Sequence, residues 1–186
     1  MLTEISYTKY CNSMSNGKQH ARTTSSFFAL VLAGGAIALA AFPSPGTLAL
    51  VAGAAIGAGA GHLITPDIDL RRRTYEESRV IRLLGLPGYL WLAYWYPYAL
   101  VMKHRGWSHT IPQGTLSRMV YLIAPAAILA WLLGLRPDVV SVQYIVYAAS
   151  TCAAAWFLQD LSHLTMDGLF PGRAPWRRPA WQPKDD

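Results

Sequence analysis

Charged residues are scarce in this sequence. Asp, Glu, Lys and Arg make up 14% of its 186 residues, against 53% hydrophobic residues and a mean hydropathy of +0.23. A soluble domain usually has about 25% charged residues. The shortage excludes a disordered chain and argues strongly against an ordinary soluble protein, and the length is that of a single domain.

Cysteine is also rare. Cys11 and Cys152 are far apart in the chain, and neither belongs to a recognisable motif. They predict neither a disulfide-based scaffold nor a cysteine-ligated zinc site. The chain is polar up to Ser26, and the first apolar run begins only after it. This is not the pattern of a cleavable signal peptide.

The sequence contains four long apolar runs that are nearly free of charged residues. They cover residues 27–42, 48–64, 119–135 and 139–158. Each is close to the lower limit of the roughly 17 to 25 residues that a spanning helix needs. Gly53 and Gly57 have the spacing that lets helices approach closely in a membrane. The alternative is a buried helix hairpin in a soluble bundle, but the runs leave no polar face for water. We therefore expect an all-α, polytopic membrane helical bundle with about four transmembrane helices.

A fifth apolar stretch, residues 88–102, differs in composition. It is crowded with Trp and Tyr, and Pro97 interrupts it. Both aromatic residue types prefer the boundary between lipid tails and water. We expect this stretch to form an interfacial or re-entrant helix rather than a fifth span.

The basic residues indicate which way the chain faces. With four spans and the N-terminus inside, the outer loops are residues 43–47 and 136–138, and Arg136 is their one basic residue. All the other lysines and arginines fall on the inner side, as the positive-inside rule requires. A fifth span would divide them between the two sides. We therefore predict a multi-pass protein of the cell membrane with both termini in the cytoplasm.

Candidate metal ligands stand just outside the apolar runs. Asp160, His163 and Asp167 follow the i, i+3, i+7 spacing of one helix face, which is costly beside a span unless they pair or bind something. Asp67 and Asp69 follow the second run, with a turn or a helix cap as their alternative role. His104 and His109 precede the third run, and His20 precedes the first. His62 is either a metal ligand or a residue that hydrogen-bonds at the end of a helix.

All these segments end on the same cytoplasmic side of the four-span arrangement. Such convergence of chain-distant ligands predicts a metal site. Imidazoles and carboxylates without thiolates suit zinc, manganese, iron or magnesium rather than copper(I). The number of candidates also allows a two-metal site. The chain then divides into a cytoplasmic N-terminal segment (1–25), a metal-binding membrane helical domain (26–170) and a tail rich in Pro, Trp and Arg (171–186).

The motifs together resemble a family of bacterial integral membrane metal-binding proteins of unknown function. They lie, in the family's order, at residues 17–20, 66–69, 96–98, 104–109, 114–118 and 163–167. The relatives of that family include the membrane-bound metal-dependent hydrolase family. Ala21 stands where relatives tend to have an acidic residue, which weakens the N-terminal segment as a source of ligands. The resemblance implies a divalent-metal site at the membrane and, by analogy, hydrolysis.

Two functions are compatible with this pattern. The first is a membrane-bound hydrolase acting on a phosphoester or a lipid, in which Arg105 pairs with a phosphate or a headgroup. In that hypothesis Ser108 donates to a metal ligand, although it could equally bond to its own backbone. Arg71, Arg72 and Arg73 most simply anchor their loop at the anionic inner leaflet.

The second function is a non-catalytic metal-binding membrane protein, with a structural site or a role in ion handling. The spans contain almost no ionisable residues, which counts against transport. A small scaffold or pore whose charges only set topology would leave the His and Asp motifs unexplained. Membrane lipids are expected partners. Nucleic acid is not, because topology accounts for the basic residues and no binding module is recognisable.

Overall fold

The computed structural model of the protein describes residues 17–69, 75–102 and 109–167. Within these residues the fold is all-helical and has no strand, which confirms the predicted fold class. The six helices are α1 (Gly17–Ala41), α2 (Pro45–Leu63), α3 (Tyr75–Leu84), α4 (Leu86–Val101), α5 (Gln113–Leu132) and α6 (Val139–Met166). A 3-10 turn, Pro66–Asp69, lies between α2 and α3.

Helices α1, α2, α5 and α6 are long and apolar enough to cross a membrane. The number of such helices predicted from the apolar runs is therefore confirmed. Helix α1 begins before its apolar run, and α6 continues past the end of its own run. The additional turns carry polar side chains that find partners inside the bundle. For example, the amide nitrogen of buried Gln159 donates to the carbonyl oxygen of Ala58 at 2.8 Å.

Helices α2 and α6 pack closely along a row of glycines. Gly53, Gly57 and Gly61 lie one turn apart on the face of α2 that contacts α6. A Cβ atom at Gly53 or Gly57 would overlap the carbonyl oxygen of Ala148 or Cys152, respectively. This is the close approach predicted from the glycine spacing. The order of the contacts shows that the two helices run in parallel, so their C-terminal ends meet.

The aromatic stretch forms α4, which Gly85 joins to α3. Gly85 has a φ of 63°, in the left-handed region that favours glycine. Helix α4 has 16 residues and contains Pro97, and it is not among the helices that could cross a membrane. Its Trp95 and Tyr98 are buried in the protein core instead of lining a surface. The interfacial placement of α4 stays a prediction.

The core lies directly beneath the 3-10 turn. Ile64, directly after α2, and Ile68, within the turn, pack with Trp95, Tyr98 and Trp156. The three aromatic side chains come from α4 and α6, and Ala60 of α2 packs against the same cluster. Apolar contacts on both sides of Asp67 therefore fix the turn to three helices. Asp67 is the one carboxylate of the turn whose side chain is described, and it is the first residue of the candidate site.

Candidate metal centre

That carboxylate, Asp67, owes its position to the residues around it. Helix α2 ends at Leu63, and Pro66, which is fully buried, begins the 3-10 turn. Proline has a fixed φ and no N–H, so it ends a helix and stiffens the turn that follows. The amide of Ile68 donates to the carbonyl oxygen of Thr65 at 3.1 Å and closes the turn. Asp67 is therefore held on a short, rigid segment.

Two histidines reach Asp67 from other parts of the chain. His109 precedes α5, and its Nε2 lies 3.3 Å from Asp67 Oδ1. His163, near the end of α6, has its Nε2 3.4 Å from Asp67 Oδ2 and 3.3 Å from Asp167 Oδ2. Asp167 follows His163 by four residues, which places both side chains on one face at the C-terminal end of α6.

Asp67, His109, His163 and Asp167 form what we call the four-residue centre. One ligand atom from each lies within 4.8 Å of the other three. A tetrahedral ion with bonds of roughly 2.1 Å needs ligand atoms about 3.4 Å apart. Several of the observed separations are close to this value. Among the described residues, neither ring nitrogen of His163 makes an aligned hydrogen bond. The donor set and the convergence of these four ligand atoms fit a divalent ion.

The centre is buried on one side and open on the other. The histidine side chains of His109 and His163 are 1% and 2% exposed, whereas the carboxylates of Asp67 and Asp167 are 26% and 17% exposed. Burial raises the pKa of Asp67, but the interactions with His109 and His163 outweigh it and hold that pKa well below its usual value. His163 and His20 have the same net effect on the pKa of Asp167. Both carboxylates are therefore ionised at neutral pH.

Asp160 was predicted as a ligand but lies outside the four-residue centre. Its Oδ2 accepts hydrogen bonds from the guanidinium of Arg118 and the hydroxyl of Thr115. All three side chains are buried, and Arg118 is completely so. Asp160 shares its helix face with His163, and its positively charged partner is the guanidinium of Arg118 from α5.

His20 also lies beside the centre without belonging to it. Its Nε2 is 3.0 Å from Asp167 Oδ1, and its ring stacks on that of His163 with centroids 4.1 Å apart. The side chain of Asp69 is outside the described part of the structure. The predicted ligand His104 and the predicted catalytic residues Arg105 and Ser108 also lie outside the described residues.

His62 is engaged elsewhere, through both ring nitrogens. Arg79 lies 3.2 Å from His62 Nε2, and His62 Nδ1 lies 2.8 Å from the hydroxyl of Thr24. Because a guanidinium can only donate, Nε2 accepts and Nδ1 carries the hydrogen. The Thr24 hydroxyl in turn donates to the carbonyl oxygen of His20. His62 is thus a hydrogen-bonding residue at the end of α2, which was the alternative to a ligand role.

The sequence analysis did not identify Arg118, Thr115 or Gln159 as functional. All three are buried polar residues at the same end of the bundle as the centre. The available signal was the position of Arg118, one residue before the apolar run that begins at 119. A permanent charge at the edge of a span needs a partner, and Asp160 at the end of another span was the matching carboxylate.

The fold and the site together define an all-helical protein with a His/Asp cluster that could bind a metal ion, at the ends of four long apolar helices. Residues 15–172 match the family described as uncharacterized metal-binding protein, and the chain belongs to that family. No curated protein and no solved structure matches the chain. The predicted resemblance to a metal-binding family of unknown function is confirmed to that extent. Its relation to membrane-bound hydrolases stays a prediction.

Proposed function

We propose that the protein is an integral protein of the bacterial inner membrane and a metal-dependent hydrolase whose centre faces the cytoplasm. The observation that carries this proposal is the one-sided exposure of the four-residue centre. Two buried imidazoles lie behind two partly exposed carboxylates, at the end of four helices apolar enough to cross a membrane. A catalytic metal site keeps an open position, whereas a structural site is closed.

The residues of this chain have distinct roles in the proposed reaction. Asp67, His109, His163 and Asp167 hold the ion, and the ionised carboxylates offset its charge. When bound, a divalent ion supplies Lewis-acid chemistry, which polarises a substrate oxygen and makes water more acidic. Asp69 and His104 are proposed as further ligands.

Phosphoesters and lipids are the proposed substrate classes. Because the centre lies at the ends of the candidate spans, it is at the depth of lipid headgroups in the proposed membrane arrangement. Arg105 is proposed to pair with the phosphate, since a guanidinium binds two oxygens of such a group at once. Ser108 is proposed to donate a hydrogen bond to a ligand and so to fix its orientation.

The alternative is a metal-binding membrane protein without catalysis, in which the ion ties helix ends together or is handled as cargo. One observation favours the structural form of this alternative. Four protein ligand atoms are enough to complete a tetrahedral site, as in structural zinc sites. The exposure of both carboxylates favours catalysis over it.

The first test is the metal content of the detergent-purified protein, beside an Asp67→Ala/His163→Ala double variant. We expect about one or two equivalents of zinc, manganese, iron or magnesium in the wild type and none in the double variant. Asp138→Asn is the matched control, because Asp138 is an exposed carboxylate that caps the opposite end of α6. A wild type that stays metal-free after ions are offered back contradicts both metal hypotheses and leaves the scaffold hypothesis.

The second test separates catalysis from structure. Metal-loaded wild type is screened against phosphodiester, phosphomonoester and lipid-ester substrates, with and without chelator. Hydrolysis that the chelator and the double variant both abolish, and that Asp138→Asn retains, supports the hydrolase. A metal-loaded wild type without hydrolysis, whose thermal unfolding temperature falls sharply on chelation, supports the structural site instead.

Membrane integration has its own test. The protein is expressed with its natural N-terminus, and the membrane fraction is extracted with alkaline carbonate and then with detergent. We expect release only by detergent. Thiol labelling of cysteines introduced near each terminus in intact spheroplasts and in inverted vesicles then reports which side the termini occupy. Labelling only in inverted vesicles supports the cytoplasmic placement.

A further inference from the structure

His20 contacts the four-residue centre from the beginning of α1. Its side chain is buried, its Nε2 lies 3.0 Å from Asp167 Oδ1, and its ring stacks on His163 with an interplanar angle of 29°. The residue therefore contacts two of the four residues of the centre. It contacts one of them through a hydrogen bond and the other through a ring face.

The two oxygens of Asp167 are used differently because of this contact. Oδ1 accepts from His20, whereas Oδ2 lies 3.3 Å from His163 Nε2, inside the centre. The carboxylate can only accept, so His20 Nε2 carries the hydrogen. The other ring nitrogen, Nδ1, is buried and has no hydrogen-bond partner among the described residues. The stacked ring of His163 restricts rotation of the His20 ring away from this arrangement.

We propose that His20 is a positioning residue of the metal centre: it holds Oδ1 of Asp167 so that only Oδ2 is presented to the ion. This role differs from the ligand role predicted for His20, and it rests on the proposed metal function. Residues that hydrogen-bond a metal ligand orient it, and their loss typically weakens metal binding by about 10- to 100-fold. Fixing Asp167 as a ligand with one oxygen also preserves a free position on the ion.

The test compares His20→Ala with His20→Gln in the full-length protein, using the affinity for Zn²⁺ as the first measurement. We expect His20→Ala to weaken binding by about 10- to 100-fold without changing the stoichiometry. The side-chain amide of Gln can donate to Asp167 Oδ1 in place of Nε2, so His20→Gln restores most of the affinity. His62→Ala is the matched control, because His62 is a neighbouring histidine that hydrogen-bonds to Thr24 and Arg79 instead.

A double-mutant cycle shows whether His20 acts through Asp167. In the Asp167→Ala background, removing His20 should produce no further loss of Zn²⁺ affinity, since the oxygen that it holds is absent. If the two losses are fully additive on a logarithmic scale, the proposal is wrong. The unfolding temperature of the metal-free His20→Ala protein should stay close to the wild-type value. A large fall that His20→Gln does not reverse would indicate a merely structural role and overturn the proposal.

Spectroscopy separates positioning from direct ligation. Pulsed electron paramagnetic resonance of the Cu²⁺-loaded protein counts the imidazoles bound to the ion. We expect the same number in the wild type and in His20→Ala, because His109 and His163 are present in both and His20 is not a ligand. An imidazole that disappears in His20→Ala would make His20 a ligand and overturn the proposal. A wild type that binds no metal overturns the proposed function as well, whereas normal binding by both His20 variants overturns this inference alone.

Discussion

Helix α6 contributes to two clusters of ionisable side chains, about one turn apart, whose charges are balanced in different ways. In the first, the buried carboxylate of Asp160 meets the guanidinium of Arg118 and the hydroxyl of Thr115. In the second, Asp67 and Asp167 meet two histidines and remain partly exposed. A permanent positive charge completes the first cluster. In the second cluster the partners of the two carboxylates among the described residues are histidines, and an imidazole, unlike a guanidinium, can lose its proton and bind a divalent ion.

The largest effect is expected from breaking the first cluster. Arg118→Met leaves the Asp160 carboxylate buried without its positive partner, which costs about 3–5 kcal/mol in the free energy of unfolding. Denaturant titration in detergent measures this loss. The double variant Arg118→Met/Asp160→Leu should recover most of the stability, because apolar residues of similar size replace the whole pair. A double variant as unstable as Arg118→Met alone would show that Arg118 acts through other contacts.

The second cluster should respond to metal rather than to the loss of one charge. Asp67→Asn is expected to weaken Zn²⁺ binding by more than about 100-fold, beyond the range seen for residues that only orient a ligand. Titration calorimetry measures the affinity. Chelation should lower the stability of the wild type by about 2.7 kcal/mol when the free ion was at 100 times its Kd. The same treatment should leave Asp67→Asn unchanged, and an equal response in both proteins would exclude Asp67 as a ligand.

A third variant tests whether both clusters depend on the close contact of α2 and α6. An alanine Cβ at Gly57 meets the backbone of α6, so Gly57→Ala should cost about 1–3 kcal/mol and weaken Zn²⁺ binding, because Asp67 moves relative to His163. Gly59→Ala is the matched control, since its Cβ would lie 3.7 Å from Phe28, an ordinary contact. Equal effects of the two substitutions on unfolding and on Zn²⁺ affinity would contradict the argument.

The smallest effect is expected at the opposite end of the bundle. The hydroxyl of Ser44 accepts a hydrogen bond of 3.0 Å from the amide of Thr47 and caps α2. Ser44→Ala should therefore cost about 1 kcal/mol in stability. Because α2 is long, the Zn²⁺ affinity should stay at the wild-type value. A change in affinity would mean that the two ends of the bundle are coupled.

Much of this fold was predictable because long apolar runs can be read directly from the sequence and indicate helices long enough to cross a membrane. Four uninterrupted apolar runs and few charges were enough to predict four long helices and their common polar end. The same-end argument also placed Asp67, His109, His163 and Asp167 in one pool of candidates. The order of the segments along the chain is enough to place these residues at one end of the bundle, and helix packing does not need to be known.

The division of the candidates into two clusters was not predictable in this way. The spacing of Asp160 and His163 assigns them to one helix face, but it does not say which residue of another helix they meet. Asp160 lies about one turn further into the bundle, at the level where Arg118 enters from α5. The role of His20 likewise depends on the angle at which α1 packs against α6. Such contacts between helices are properties of packing and carry no periodic signal in the sequence.

The order in which the residues of the four-residue centre occur along the chain has a consequence for biosynthesis. Asp67 follows the second helix, His109 precedes the fifth, and His163 and Asp167 belong to the end of the sixth. Because a ribosome makes the chain from its N-terminus, two of the four residues of the centre do not exist until the last helix is complete. An ion captured by all four residues therefore marks a chain whose helices have all been synthesised and brought together, and a product truncated before residue 163 lacks half of the centre.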